Sequence, residues 1–302
     1  MGNRPRIVMV TRPTPWELLL RQHGTPGQAE FYLRTRGETS EWYRHVHERL
    51  QSALGVVNSQ LPSDQRRVRV DRDSLDRFVF RNEDVVVVIG QDGLVPNVAK
   101  YLTGQTTIGV NPDPKSWDGV LCRHPAESLR AVLQFAYAPS GTRYRFERRT
   151  MLVAEREDGQ RLLALNEIFA GHQTHQSARY RLTVGTSEER HSSSGVICST
   201  GTGSTGWARS IAMQRGLEGL PGPEERRFAW FVREPFPSVS TGHSLQFGVA
   251  DATTVFRMRS EMGEGGTIFA DGIEQDRLDF SSGQSVVVRL ADQTLNLVVQ
   301  AS

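Results

Sequence analysis

Two short stretches hold the residue types that could do chemistry. The first is "GQDG", Gly90 to Gly93, directly after the apolar run "DVVVVI". A loop at the carboxyl end of a buried strand lies where open α/β sheets bind ligands. Its glycines let backbone N–H groups approach phosphate oxygens, and Asp92 can there orient a hydroxyl nucleophile or bind magnesium. An ordinary strand-to-helix turn satisfied by Asp92-Gly93 fits the stretch equally well. The second is "CSTGTGSTGWARS", Cys198 to Ser210, in which Gly201, Gly203 and Gly206 spell G-x-G-x-x-G.

A dinucleotide fingerprint of the βαβ type needs an acid about twenty residues further on to hold the ribose. Glu224 and Glu225 have the distance, but they sit in "LEGLPGPEERR", a Pro/Gly stretch that reads as a mobile loop, not a strand end. The hydroxyls are the better reading. Thr200, Thr202, Ser204 and Thr205 can hydrogen-bond ribose, phosphate and adenine edges while the glycines keep the backbone close.

The elements that must position these loops change character along the chain. "RIVMVT" reads as a strand, and "SEWYRHVHERLQSAL" as a helix with Trp42, Val46, Leu50 and Leu54 on one face. "DVVVVIG" is an unbroken β-branched run, as in a strand covered on both faces of a parallel sheet. "LVPNVAKYLTG" follows as a short helix, then "TTIGVN" as a strand and "HPAESLRAVLQFAYA" as a helix with Pro125 just inside its start. Beyond about residue 140 the runs are strands: "RYRFERRTMLVAERED" and "QRLLALNEIFA" joined at Asp158-Gly159, then "ARYRLTV", "GVICST", "RFAWFV", "SLQFGVA", "TVFRMRS", "GTIFADG", "SVVVRL" and "TLNLVV". One helix is expected there, after the Gly/Ser/Thr loop. The expected architecture is an α/β N-terminal domain with a Rossmann-like parallel sheet over 1–140, and a β-rich domain over 141–302. The last strands have room to return to the first domain, and the site is expected between the two.

Composition excludes several classes. The 302 residues carry a net charge of +2, too small to argue for nucleic acid or a membrane surface. No apolar run reaches the roughly 18 residues of a membrane helix, and no signal peptide is evident, so a cytoplasmic location is expected. Cys122 and Cys198 are the only cysteines and cannot form a disulfide framework. Lys100 and Lys115 are the only lysines, so no Walker-type G-K-[ST] exists.

Taken in order, these stretches resemble the NAD kinase family. Its Gly-Gly-Asp-Gly, Asn-Glu and Thr-Pro-Thr-Gly-Ser-Thr-Ala-Tyr motifs are similar to Gly90-Gln91-Asp92-Gly93, Asn166-Glu167 and "TGTGSTGW", Thr200 to Trp207. "IGVNPDP", "LNEIFAG", "SSGVICSTGTGS" and "REPF" resemble the mitochondrial type, and "FADG" at Asp271-Gly272 resembles that group's "VDGG". The likeness runs over roughly residues 80 to 290. It implies transfer of the γ-phosphoryl of ATP, with Mg2+, to the 2′-hydroxyl of the adenosine ribose of NAD. Carried over, Asp92 is the catalytic base, with Gly90, Gln91 and Gly93 beside it. Asn166, Glu167, Thr200, Thr202, Gly203, Ser204, Thr205 and Trp207 contact the dinucleotide, Trp207 standing where the family has a tyrosine. No dedicated metal ligands are expected, and a homo-oligomer, at least a dimer, is implied.

Two departures fall in the first motif. Gln91 replaces a glycine; in a left-handed backbone it would cost roughly 1–2 kcal/mol. Otherwise its side chain crowds the phosphates or donates to them, and Gln91→Gly is expected to preserve or raise activity. Leu94 replaces a threonine and its hydroxyl. A weakly active NAD(H)-binding or sensing protein, and a kinase for another hydroxyl on the same fold, are therefore carried as alternatives. Other features read as structural. His172 and His175 lie in a loop without a third ligand, "RYRFERR" from Arg143 to Arg149 reads as a solvated strand face, Glu38, Glu41 and Glu48 as an exposed helix face, and Cys198 as a buried thiol.

Overall fold

The computed structural model describes residues 5–301. The chain divides into two compact units, Met1–Glu147 with Asn296–Ser302, and Arg148–Leu295.

Unit 1 is a parallel sheet with helices. Its elements are β1 (Ile7–Thr11), α1 (Pro15–His23), α2 (Pro26–Arg34), α3 (Glu41–Gln60), β2 (Arg67–Asp71), β3 (Val85–Ile89), α4 (Leu94–Ala99), β4 (Thr106–Asn111), β5 (His124–Pro125) and α5 (Leu129–Tyr137). The strands run β2-β1-β3-β4, all parallel. Asn296 and Leu297 of the returning C-terminal strand pair with β4, also parallel. Every residue of β1 and β3 is buried, as the unbroken apolar runs require. At the opposite edge from the loops, buried Asp84 takes Nε and Nη2 of Arg6 and pins β1 to the start of β3. Because the strands are parallel, Thr11, Asp71, Ile89 and Asn111 all end at one edge.

The expected strand and helix order of this half is present, with three differences. α1 and α2 were not read from the sequence, although each carries a signal: Thr14 and Thr25 accept from backbone N–H groups of the first turn, and each is followed by proline. Pro125 belongs to β5 and not to the helix, which starts at Leu129 after one 3₁₀ turn. In α3, Leu50, Ala53, Leu54 and Val57 are buried, but Trp42 is 57% exposed.

Unit 2 is antiparallel. Its elements are β6 (Tyr144–Arg156), β7 (Arg161–Ala164), β8 (Glu167–His172), β9 (Ala178–Val184), β10 (Ser187–Ser193), β11 (Val196–Ser199), α6 (Trp207–Arg215), β12 (Arg227–Val232), β13 (Phe247–Asp251), β14 (Phe256–Ser260), β15 (Gly266–Ala270), β16 (Ile273–Asp279) and β17 (Ser285–Gln300). β6 and β17 each begin in one unit and end in the other. One sheet has the order β13-β12-β11-β8-β15-β16. A second ladder runs β10-β9-β14-β17, and β6 pairs with β7. The two share a core that includes Tyr180, Phe228, Trp230, Phe256 and Phe280.

Three readings of this half are corrected. "QRLLALNEIFA" is two strands, broken at Leu165-Asn166. "SVVVRL" and "TLNLVV" are one 16-residue strand. The arginine stretch is a solvated face only in part: Arg143, Arg145 and Arg148 are exposed, but Arg149 is 1% exposed and its Nη1 donates to Thr202 Oγ1 at 3.3 Å. The alternation fails because β6 is covered on both sides from Arg149 to Ala154.

Candidate functional site

The chemistry-bearing residues gather into two clusters, one in each unit. In unit 1 the β3–α4 loop lies at the carboxyl edge of the parallel sheet. The chain winds straight into the helix, with Leu94 N bonded to Gln91 O and Val95 N to Asp92 O. Asn97 closes the turn by donating to Gly93 O at 2.6 Å. Gln91 is not among the positive-φ residues, so it carries no left-handed strain. Leu94 is 1% exposed and part of the core.

Asp92 is fixed by three successive backbone amides. Val120 N donates to Oδ2 at 2.6 Å; Leu121 N and Cys122 N donate to Oδ1 at 2.9 and 2.8 Å. A carboxylate has about four acceptor positions, so one remains, on Oδ2. The 113–122 loop is itself set by β4. A Cβ on Gly109 would lie 2.1 Å from Leu121 O, so only glycine lets the loop close on the strand. Asn111 completes it, donating to Trp117 O and accepting from Asp113 N. This gives "IGVNPDP" its physical role. Asp92 lies on the wall of a cavity of about 520 Å3, with Gly90, Gln91, Gly93, Asn111, Trp117 and Asp118 around it. Asp118, which the sequence reading missed, is an exposed carboxylate on that wall. The Cys122 thiol is buried and its pKa is pushed up, by burial and then by the charge of Asp92.

In unit 2, β11 runs antiparallel to both β8 and β12. The G-x-G-x-x-G that follows it therefore opens no βαβ unit, and the dehydrogenase reading falls. Its acids are also engaged: Glu225 pairs with Arg227, and Glu224 accepts from Arg148 N at 2.9 Å. The glycines serve close approach. A Cβ on Gly203 would lie 2.4 Å from Asn166 O, and one on Gly201 would lie 1.9 Å from Gly222 O. The segment read as a mobile loop is thus packed on the glycine loop, and Pro223 O accepts from Thr150 N at 2.9 Å.

The hydroxyls divide into two groups. Thr200 is fully buried and holds the loop together: it donates to Leu165 O at 2.6 Å and accepts from Thr202 N and Gly203 N. Thr202 is buried and takes Arg149. Ser204 is half-buried and Thr205 exposed, each donating to a carbonyl of the loop. Those two remain within reach of a ligand. Trp207 stacks on Phe169 with ring centroids 6.0 Å apart, and the guanidinium of Arg233 lies over its ring. It is the wall of an aromatic cluster and not an open platform.

Asn166 and Glu167 stand at the β7–β8 break, held by Asp271. Asp271 Oδ2 accepts from Leu165 N at 3.1 Å, and Oδ1 accepts from Asn166 N and Glu167 N at 2.7 and 3.3 Å. Asp271 has φ +55, a left-handed conformation rare outside glycine, which aims its carboxylate back at the break. Glu167 is 9% exposed, and its pKa is pushed up to about 7, by burial and then by the Asp271 charge. Asp271 entered the sequence reading only as part of "FADG"; Arg149 gave no signal beyond its place in a charged run. Among the described residues, His172 and His175 belong to no group of three or more His, Cys, Asp or Glu that could hold a metal. Cys198 is buried in β11 as expected.

The architecture matches solved structures. Yeast NADH kinase complexed with NADH aligns with a TM-score of 0.64 over 99% of this chain and 84% of that one, at 15% identity. An NAD kinase from Archaeoglobus fulgidus in complex with ATP aligns at 0.59 over 97% and 92%, at 17% identity. The fold is NAD kinase-like. No family model matches the chain, and no curated protein matches its sequence. At such identities the NAD kinase-like fold is common to these chains, while the side chains must speak for the chemistry themselves.

Proposed function

We propose that this chain is an NAD kinase, phosphorylating the adenosine-ribose 2′-hydroxyl of NAD from ATP to give NADP. The observation that carries the reading is the Asp92 carboxylate, fixed by three amides on a cavity wall at the sheet edge where α/β folds bind ligands. Unit 1 is the donor and catalytic unit, and unit 2 the dinucleotide unit. Phosphoryl transfer has a loose transition state, so the hydroxyl proton leaves late and its acceptor must above all be well placed. The remaining acceptor position of Asp92 holds and orients the hydroxyl and then takes its proton. Asn166, Glu167, Ser204 and Thr205 offer the polar contacts for the dinucleotide. Mg2+ keeps most of its ligands as water and donor phosphates, so one or two carboxylates suffice. Asp118 on the cavity wall fits that need; bound there, the ion would neutralise phosphate charge. The proposed setting is a cytoplasmic homo-oligomer.

The test is direct. Purified protein with Mg2+, ATP and NAD, or NADH in parallel, should form NADP(H), detected with an NADP-specific dehydrogenase. Formation should be lost in Asp92→Asn. Binding of NAD without product would favour a sensing protein, a reading supported by the three amides that already occupy Asp92.

A further inference from the structure

The described residues hold a second concavity beside the Asp92 cavity. It has a volume of about 160 Å3, and its lining includes Trp42, Val46, Pro112 and Trp117, with Arg12 among them. It shares Gly90, Gln91 and Trp117 with the larger cavity. Ligand pockets for whole small molecules run about 300–1,000 Å3, so this one has room for a single ring system. Along α3, Trp42, Val46 and Leu50 all line it, from Trp42 at 57% exposure to buried Leu50.

Arg12 follows the last residue of β1, at the carboxyl edge. It is half-buried, and its one hydrogen bond among the described residues is Nη2 to Gln91 Oε1 at 2.5 Å. Among the described residues no carboxylate forms an ion pair with it. Burial, and then the neighbouring charge of Arg72, hold its pKa below the ordinary value. A partly desolvated guanidinium with a cationic neighbour and no acid is stabilised by an incoming anion. Gln91 supplies a neutral acceptor that orients the guanidinium without cancelling its charge. A glycine at position 91 could not do so.

We propose that Arg12, held by Gln91 beside the pocket lined by Trp42 and Trp117, forms a donor subsite for the base and adjoining phosphates of a nucleoside polyphosphate. The inference rests on the phosphotransferase reading above, whose donor is ATP, and adds the residues of this chain that would hold that donor's base and phosphates. Trp42 and Trp117 offer indole surface to a planar base, and Arg12 meets the phosphates. Gln91 is then a positioning residue, which reverses the expectation that glycine would serve as well there.

Calorimetry on the full chain, without NAD, tests the subsite with two probes, Mg-ATP and magnesium tripolyphosphate. Trp42→Ala, whose side chain is mostly exposed, should weaken ATP about tenfold and leave tripolyphosphate unchanged. Arg12→Gln should weaken both about tenfold or more, with partial rescue in Arg12→Lys. Gln91→Gly should weaken both by less, and should add nothing on top of Arg12→Gln. ATP affinity unmoved by Trp42→Ala and Arg12→Gln would overturn the subsite. So would tripolyphosphate binding as tightly as ATP. The parent reading fails separately: the binding pattern intact with no NADP formed would keep the subsite and remove the kinase. NADP formed with an unchanged KM for ATP in both variants would do the reverse.

Discussion

Asp92 and Asp271 use one device in two settings. Each follows the end of a strand, and each takes three successive backbone amides on its two oxygens. Asp92 does so on the wall of a cavity, with unstrained backbone around it. Asp271 does so in a left-handed conformation behind the β7–β8 break, and its charge helps keep the neighbouring Glu167 near neutrality. The amides fix geometry in both cases. What differs is the setting: Asp92 lines the cavity of about 520 Å3, the place the proposed reading gives the substrate hydroxyl. At Asp271 the carboxylate acts through Asn166 and Glu167, as a positioning group.

The sharpest way to break this comparison is Asp92→Asn. Turnover should fall by about 10²–10⁴-fold in the coupled NADP assay, while NAD binding, assigned to unit 2, persists. Asparagine would also set an NH2 against one of the three amide donors, so the melting temperature should drop as well. A full-rate Asp92→Asn enzyme would make Asp92 the same kind of structural clamp as Asp271.

Gly203→Ala attacks the other cluster. Its Cβ would collide with Asn166 O and Ser199 Oγ, both at 2.4 Å. A loss of about 2–3 kcal/mol in denaturant unfolding is expected, with weakened NAD binding. Stability unchanged from the parent would mean that the loop does not close on Asn166.

Glu167 sharpens the comparison through pH. Its pKa is raised from 4.5 to about 7 on folding. The folded state therefore binds the extra proton between these values, and the contribution to stability is present at low pH. It is lost as pH rises from about 4.5 through 7, by up to about 3 kcal/mol. Glu167→Gln should flatten that slope in urea titrations across the window; an unaltered slope would assign it to other groups.

The smallest effect is expected at Gly93, where a Cβ would meet nothing within 4 Å and the backbone is helical. Gly93→Ala should leave stability unchanged or raise it by about 0.5–1 kcal/mol. If donor phosphates pack on this backbone, the KM for ATP rises; an unchanged KM would move the phosphates away from the loop.

Much of this was legible in the sequence. The β-branched run before Gly90 marked a strand buried on both faces, and the shift at about residue 140 marked the change from parallel to antiparallel pairing. The NAD kinase-like fold followed from the order of three motifs. Less legible were contacts between residues far apart in sequence. Nothing in "VLC", Val120 to Cys122, says that its amides will converge on Asp92, and Arg149 in a run of charges does not announce its burial beside Thr202. The Thr200 hydroxyl, just before the first glycine of the loop, has no partner visible in the local sequence and so looks free for a ligand; its partners prove to be Leu165 O and the loop's own amides.

The sequence by itself determined which residues could do chemistry and at which strand ends they would lie, because hydrophobic periodicity and turn residues act locally. Only the tertiary structure decided which of them are committed to holding the fold and which remain available. That choice depends on acceptor positions filled, on the close approaches that Gly109 and Gly203 permit, and on burial that moves Glu167 toward neutrality. All three are set by chain segments that meet only after folding.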